Sequence, residues 1–284
     1  MRILTVRPVP RNAVVYGLDP ASFAPVSKLR ICIAGATGWT GRALVDAVAA
    51  AADLDLRSAV SRSAAGGELA GAPVFGTVAE ALDGVGVLID YTAHDVVKAN
   101  GLTAIEHGVA VVIGTSGLSA DDYADIDTAA RERGVGVIAA GNFSITAAMA
   151  QAAALLAARH LPAWEVIDYA KADKADAPSG TARELAERLG QVRPPEVARS
   201  VEDTAGAPEA RGATIGGTQV HSLRLPSFSV STEVVFGLPD ERLSIRHDAG
   251  SSAAPYVAGT LLAARAVCAR TGLTRGLDTL LLDG

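Results

Sequence analysis

The chain has 284 residues, of which 49% are hydrophobic and 20% are charged, and its formal net charge at pH 7 is −6. This composition is typical of a globular protein long enough for two modest domains, and the acidic balance argues against the basic surface that general nucleic-acid binding requires. No stretch reaches the roughly 18 consecutive apolar residues of a membrane span, so we expect no membrane insertion.

Residues 1–28 contain four prolines and three arginines, with neither a clear periodicity nor the apolar core of a signal peptide. We interpret them as an N-terminal extension laid on the surface. An arm that binds a partner or exchanges between subunits is the alternative interpretation.

From residue 29 to about residue 141, short apolar runs alternate with segments of helical periodicity. Runs without polar alternation suit strands buried on both faces, and the intervening helices supply the crossovers. We therefore predict an α/β fold with a Rossmann-like, doubly wound parallel sheet. The predicted strands are 29–35, 55–61, 85–92, 109–115 and 135–141, and the predicted helices are 40–52, 95–107 and 120–133. Cys32 lies in the first of these runs, where we expect a small buried apolar residue rather than a disulfide partner. With Cys268 as the only other cysteine, this usage fits a reducing cytoplasm, and we predict no metal site.

After residue 142 the pattern changes to a second, smaller α+β region. Residues 242–247 alternate apolar and polar side chains, which predicts a sheet with one solvent-exposed face. The predicted elements are helix 144–160, strand 164–169, helix 181–189, surface loop 191–217, strands 219–225, 231–237 and 242–247, and helix 254–271. Because the last helix is long enough to pack back on the first region, we predict a dinucleotide-binding domain of residues 29–141 and 252–284, and a second domain of residues 142–251.

The loop between the first predicted strand and helix reads Gly35-Ala36-Thr37-Gly38-Trp39-Thr40-Gly41. Gly35, Gly38 and Gly41 permit a tight turn, and the N-terminus of the following helix offers unpaired N–H groups to a pyrophosphate. The strand–turn–helix setting therefore predicts a dinucleotide site that includes Trp39 and Thr40. A purely structural turn is the alternative.

The end of the second predicted strand indicates which dinucleotide binds. An NAD-binding site usually has Asp or Glu there, whereas this chain has Ser61-Arg62-Ser63. Arg62 can pair with a 2′-phosphate while Ser61 adds a hydroxyl donor, which favours NADPH over NADH. The alternative is that Arg62 is simply a solvated loop residue.

Three further strand ends are expected at the same edge of the sheet, where ligands of this fold bind. We expect them to wall the nicotinamide, although each could be an ordinary strand-end turn. Their residues are Tyr91, Thr92, Gly114, Thr115, Ser116, Ala140, Asn142 and Phe143.

The segment 171–182 is rich in candidate catalytic residues, because Lys171 and Lys174 are two of only four lysines in the chain. Lysine shifts its pKa more readily than arginine, which makes both candidates for acid–base work. The following Ser179, Gly180 and Thr181 begin a predicted helix whose N-terminus suits a carboxylate. A capped helix beside a solvated Lys/Asp patch is an equal alternative.

At these residues the chain resembles the 4-hydroxy-tetrahydrodipicolinate (dihydrodipicolinate) reductases, from about residue 29 to its end. The matching motifs are the glycine loop, Ile113-Gly114-Thr115-Ser116-Gly117, Asn142-Phe143-Ser144, the run from Lys174 to Ala182, Val220-His221-Ser222-Leu223-Arg224-Leu225 and Ile245-Arg246-His247-Asp248. The resemblance implies a substrate domain with a mixed sheet that also builds a homotetramer, and reduction of a cyclic imine or enamine by a nicotinamide cofactor.

The chain departs from this family in the substrate segment. Where the family has a His-His pair, this chain has Ala170 and Lys171. Where the family has an arginine that helps hold a substrate carboxylate, this chain has Ser252. The family's usual Arg-Met in the glycine loop is Trp39-Thr40. Lys174 matches the family lysine and is our first candidate proton donor. Lys171 as a replacement cation and Tyr169 as a weaker acid are the others.

We therefore predict an NADPH-dependent reductase of the C=N bond of a small cyclic imino acid, in a divergent member of this family. The alternatives are the lysine-biosynthesis enzyme itself and an NADPH-binding protein without turnover.

Overall fold

The computed structural model describes residues 28–282. The predicted N-terminal extension lies outside the described residues except for Lys28. The strands are β1 (Leu29–Ala34), β2 (Leu54–Val60), β3 (Glu68–Leu69), β4 (Ala72–Phe75), β5 (Val87–Asp90), β6 (Ala110–Ile113), β7 (Gly136–Ala139), β8 (Ala163–Ala170), β9 (Ala213–Ile215), β10 (Thr218–Arg224), β11 (Val230–Leu238), β12 (Glu241–Ala249) and β13 (Gly272–Arg275). The helices are α1 (Trp39–Ala50), α2 (Val78–Ala81), α3 (Val97–Glu106), α4 (Ala120–Arg133), α5 (Ile145–Ala158), α6 (Gly180–Val192), α7 (Ala254–Val267) and α8 (Leu277–Leu282), with a 3₁₀ helix at Pro208–Arg211.

The first sheet has the order β13-β7-β6-β5-β1-β2-β4-β3, and only the β3–β4 pair is antiparallel. The predicted doubly wound, Rossmann-like fold is therefore confirmed. Every residue of β5, β6 and β7 is buried, as the unbroken apolar runs predict.

Helices cover both faces of this sheet, and alternate residues of β1 pack into different cores. Ile31 and Ile33 pack with α1 and α7, whereas Cys32 packs with α3 and α4. Burial raises the pKa of the Cys32 thiol to about 12, in keeping with a packing role.

The second sheet is mixed and has the order β12-β11-β8-β10-β9, with β8 and β10 parallel. α5 and α6 cover one face, where Trp164 and Val166 of β8 are buried. The alternate residues Glu165, Ile167 and Tyr169 lie on the other face and are partly exposed. We call this the open face of the second sheet.

Short elements were missed by the sequence patterns. The predicted loop 191–217 contains β9, and the predicted helix 254–271 ends at Val267 before β13 pairs with β7. The predicted helix was too long because its alanine-rich sequence contains no strong helix breaker before Gly272. The φ of Gly272 is 78°, and the chain changes direction there. Elements of two to four residues carry too little periodicity to be recognised.

The last part of the chain returns to the first sheet. α7 packs on α1 and on the strands β5, β6 and β7, while α8 packs on α5. The carboxyl ends of β1, β5, β6 and β7 face the N-terminus of α6. Within residues 28–282, no helix is both long and apolar enough to cross a membrane.

Candidate functional site

Two adjoining clefts lie between the carboxyl edge of the first sheet and the N-terminus of α6. The outer cleft has a volume of about 830 Å³ and the inner cleft about 260 Å³. The outer cleft is lined by Gly38, Trp39, Thr40, Tyr91, Thr92, Ala93, His94, Gly114, Thr115, Ser116, Gly117, Ala175, Asp176, Gly180 and Arg183. The inner cleft is lined by Trp39, Thr40, Tyr91, Gly114, Ser116, Gly141, Asn142, Phe143, Lys174, Ser179, Gly180, Thr181, Val230 and Tyr256.

The glycine loop forms a turn that other residues would block. Gly35 has a φ of 79°, and a Cβ on it would lie 2.3 Å from the Tyr91 carbonyl oxygen. A Cβ on Gly41 would lie 2.1 Å from the Gly35 carbonyl oxygen. α1 begins at Trp39 with no side-chain cap, so its first N–H groups remain available. This cradle fits the pyrophosphate of a dinucleotide.

A row of hydroxyl groups lies beside this loop at the end of β2. The Ser61 Oγ is 2.7 Å from the Thr37 Oγ1 and 3.2 Å from the Ser63 Oγ. Arg62 is exposed, and within residues 28–282 its guanidinium makes no hydrogen bond or ion pair. Hydroxyl groups and an uncommitted guanidinium are the groups that phosphate recognition uses, so the predicted role of this loop stays a prediction.

Asp90, at the end of β5, organises two of the predicted cofactor loops and was missed by the sequence analysis. Its buried carboxylate accepts hydrogen bonds from the Thr92 N–H at 2.8 Å, the Thr115 Oγ1 at 3.0 Å and the Asn100 Nδ2 at 2.8 Å. A single acid ending an apolar strand was the available signal, because a buried carboxylate must be paired or hydrogen-bonded.

Aromatic residues form the floor of the inner cleft. The Tyr91 and Phe143 ring centroids are 6.2 Å apart, and the Tyr91 hydroxyl lies 2.7 Å from the Thr260 Oγ1. Burial raises the pKa of Tyr91, so its hydroxyl stays neutral. Of the predicted wall residues, only Ala140 lies outside both clefts, where it is buried in the core.

The N-terminus of α6 is held by Asp168, a fully buried carboxylate on β8 that the sequence analysis missed. Asp168 accepts hydrogen bonds from the Ser179 N–H at 2.9 Å, from the Ser179 hydroxyl and from the Arg224 Nη2 at 2.8 Å. The Ser179 hydroxyl is therefore committed to the protein. The Thr181 hydroxyl likewise donates to the Gly141 carbonyl at 3.2 Å, which leaves the first N–H groups of α6 for an anion.

Arg224 also binds the loop that carries Lys174, because its Nη2 donates to the Asp176 carbonyl at 2.8 Å. The Lys174 ammonium lines the inner cleft and forms an ion pair with the Asp176 carboxylate. Within residues 28–282, Lys174 is the only charged residue that lines this cleft.

The other two candidate proton donors lie elsewhere. Lys171 is exposed and lines neither cleft. Tyr169 follows Asp168 on β8 and therefore points to the open face. There its hydroxyl donates to Glu233 at 2.9 Å, and burial together with Glu233 raises its pKa. The structure thus brings Lys174, but neither Tyr169 nor Lys171, to the cleft.

Comparison with known proteins gives matches along both sheets. The family model "Dihydrodipicolinate reductase, N-terminus" matches residues 29–143, and "Dihydrodipicolinate reductase, C-terminus" matches residues 142–281. The 4-hydroxy-tetrahydrodipicolinate reductase of Trichormus variabilis is 36% identical over 271 residues, which cover 88% of this chain and 97% of that protein. The reductase of the same name from Moorella thermoacetica is 37% identical over 268 residues, covering 90% and 99%.

Among solved structures, the dipicolinate-bound dihydrodipicolinate reductase from Paenisporosarcina sp. TG-14 is similar to this chain with a TM-score of 0.73. The two are 26% identical, and the match covers 89% of this chain and 99% of that one. The similarity therefore includes both walls of the two clefts.

The Asp168→Asn variant is expected to unfold more easily. It removes the counter-charge of Arg224, whose side chain is only 17% exposed, and we expect a loss of about 2–4 kcal/mol in the free energy of unfolding. Urea denaturation followed by circular dichroism measures this loss.

The matched control is Glu165→Gln on the same strand. Its partners Arg211 and His221 lie 2.5 and 2.7 Å away, but Glu165 is 40% exposed and neither partner is buried, so we expect a loss below about 1 kcal/mol. Equal losses in the two variants would show that Asp168 does not anchor the site.

Proposed function

The chain belongs to the dihydrodipicolinate reductase family of NAD(P)H-dependent oxidoreductases, and we propose that it reduces the C=N bond of a small cyclic imino acid with hydride from NADPH. One observation carries the proposal: the cradle of the glycine loop and the α6 N-terminus with Lys174 line the same pair of clefts. A dinucleotide and a small carboxylate bound at these two places would meet at the inner cleft.

The substrate carboxylate would bind the first N–H groups of α6, which combine unpaired donors with the positive end of the helix dipole. Lys174, on the loop just before α6, lines the same cleft and adds a positive charge. This arrangement orients the substrate through one carboxylate and leaves its ring toward Tyr91 and Phe143.

The reduction needs one hydride and one proton. Bound NADPH supplies the hydride to the imine carbon. The imine nitrogen gains a proton as its π bond breaks, and the Lys174 ammonium is the group in the cleft that can donate it. Asp176 gives that ammonium a counter-charge in the resting site, and solvent returns the proton after turnover.

A second candidate function is the reduction named for the curated relatives, in which the substrate is the lysine-pathway dicarboxylate. The identity of 36–37% across nearly the full length of those relatives favours it. The two candidates differ in whether the site binds one carboxylate or two. Ser252, at the position of the family arginine, lies outside both clefts.

We expect the purified protein to oxidise NADPH faster with piperideine-2-carboxylate than with the hydroxy-tetrahydrodipicolinate formed in situ. Lys174→Met should lower kcat by about 100-fold or more, because it removes the general acid. Lys171→Met, three residues away and outside the clefts, is the control and should change kcat by no more than about twofold. NADPH absorbance measures each rate.

Faster turnover of the dicarboxylate would instead assign the lysine-pathway activity. Tight NADPH binding without turnover of either substrate would contradict both activities and favour a binding protein.

For the cofactor, we propose that Arg62, Ser61 and Ser63 bind the 2′-phosphate of NADPH. Arg62→Gln should lower kcat/KM for NADPH by about 10- to 100-fold and leave that for NADH nearly unchanged, because only NADPH carries the phosphate. Arg57→Gln is the control, since Arg57 lies on β2, before this loop, and contacts Asp83 instead. Equal losses with both cofactors would contradict this assignment.

For the assembly, we propose that the open face of the second sheet forms the subunit contacts of a homotetramer, as the family resemblance implies. Ile167, Leu223 and Val235 place at least partly exposed apolar side chains on this face, and residues 195–199 line a cavity with Ile167 and Val235. Ile167→Asp combined with Val235→Asp should therefore yield smaller species by light scattering.

The control for this experiment is Leu156→Asp, since Leu156 is 58% exposed on α5, away from the open face. A wild-type protein that is monomeric at assay concentration would overturn the proposed assembly.

A further inference from the structure

The exposed Trp39 and the half-buried Tyr256 line the inner cleft on the side of the first sheet, across from the N-terminus of α6. Trp39 is the first residue of α1 and is 58% exposed. Its ring centroid lies 5.8 Å from that of Tyr256 on α7, and the ring planes are inclined by 63°. The indole is therefore only partly covered by protein, and it lines both clefts, where a ligand can pack on it.

The two sides of the inner cleft differ in chemistry. The side formed by α6 and its preceding loop carries free N–H groups and the Lys174 ammonium. The side formed by Trp39 and Tyr256 carries no charged residue among those described. Val230 of β11, in the second sheet, is a further apolar residue that lines this cleft. The nearby Tyr91 hydroxyl is already bonded to Thr260.

We propose that Trp39 and Tyr256 form an aromatic wall that selects substrates with one carboxylate and a flat, apolar ring portion on the opposite side. This inference rests on the proposed function, because it names the substrate class of the same cleft. A dihydroisoquinoline carboxylate, which is a cyclic imine fused to a benzene ring, represents the class.

The selection follows from desolvation. A second carboxylate pressed against the wall would lose water without gaining a cation or an N–H donor, which is strongly unfavourable. A planar hydrocarbon in the same place would bury apolar area and make offset or edge contacts with both rings. The wall therefore rejects dicarboxylates and favours extended monocarboxylates.

Stable aromatic acids test the wall without requiring turnover. Calorimetry with the full chain, saturated with NADP⁺, would give the Kd of isoquinoline-3-carboxylate and of dipicolinate, which carries two carboxylates. We expect the wild type to bind isoquinoline-3-carboxylate about tenfold more tightly, a ratio that matches one aromatic contact.

Variants assign this preference to the wall. Trp39→Leu and Tyr256→Leu should each remove most of the preference, Trp39→Phe should retain much of it, and Trp39→Arg should shift it toward dipicolinate. Leu156→Ala is the control, since Leu156 is as exposed as Trp39 but lies on α5. Tyr256→Leu decides the question if a Trp39 variant fails to fold.

Two results would overturn the inference. One is an unchanged ratio of the two Kd values in both leucine variants. The other is a loss confined to the Kd of NADP⁺, which would make Trp39 a cofactor contact. If the ratio responds as expected while no imine is reduced, the wall stands and the proposed reduction fails.

Discussion

The buried carboxylate of Asp168 is the interaction on which the substrate side of the molecule depends. A charge on the covered face of β8 is stable only if its oxygens are fully hydrogen-bonded. Here those bonds come from the N–H and hydroxyl of Ser179, the N-cap of α6, and from Ser222 and Arg224 of β10. Satisfying one buried group therefore fixes where α6 begins, and Arg224 extends the same constraint to the loop of Lys174.

The cofactor side uses the same device in the first sheet. Asp90 is also fully buried at the end of a strand, and its hydrogen bonds fix the loops of Thr92 and Thr115. In both sheets, the hydrogen bonds that a buried carboxylate requires fix the conformation of the loops at the strand ends. The clefts are thus bounded by segments that are held from beneath, and the first N–H groups of α1 and α6 remain free for ligands.

The sequence predicted what depends on long patterns and missed what depends on single contacts. Apolar runs gave β1, β5, β6 and β7, and the glycine spacing gave the turn in which Gly35 and Gly41 tolerate no Cβ. Tyr169 was chosen because it is close to Lys174 in the chain, but strand alternation sends it to the opposite face. Asp168, one residue earlier, holds the N-terminus of α6 in place. This role becomes visible only in the structure, because its partner Arg224 is 56 positions away in the chain.

The aromatic wall shows how one fold can change substrate without changing its chemistry. In the reduction that we propose, hydride and proton transfer depend on the glycine loop, the α6 N-terminus and Lys174, which are held by backbone geometry and buried carboxylates. The Trp39 side chain makes none of the hydrogen bonds that hold these groups, because it is exposed at the first position of α1, where it lines both clefts. In the selection that we propose, a change of this side chain alters the electrostatic character of one wall and leaves the backbone of the turn and the N-terminus of α6 unchanged. Substrate choice would then depend on a position where substitution has little effect on folding.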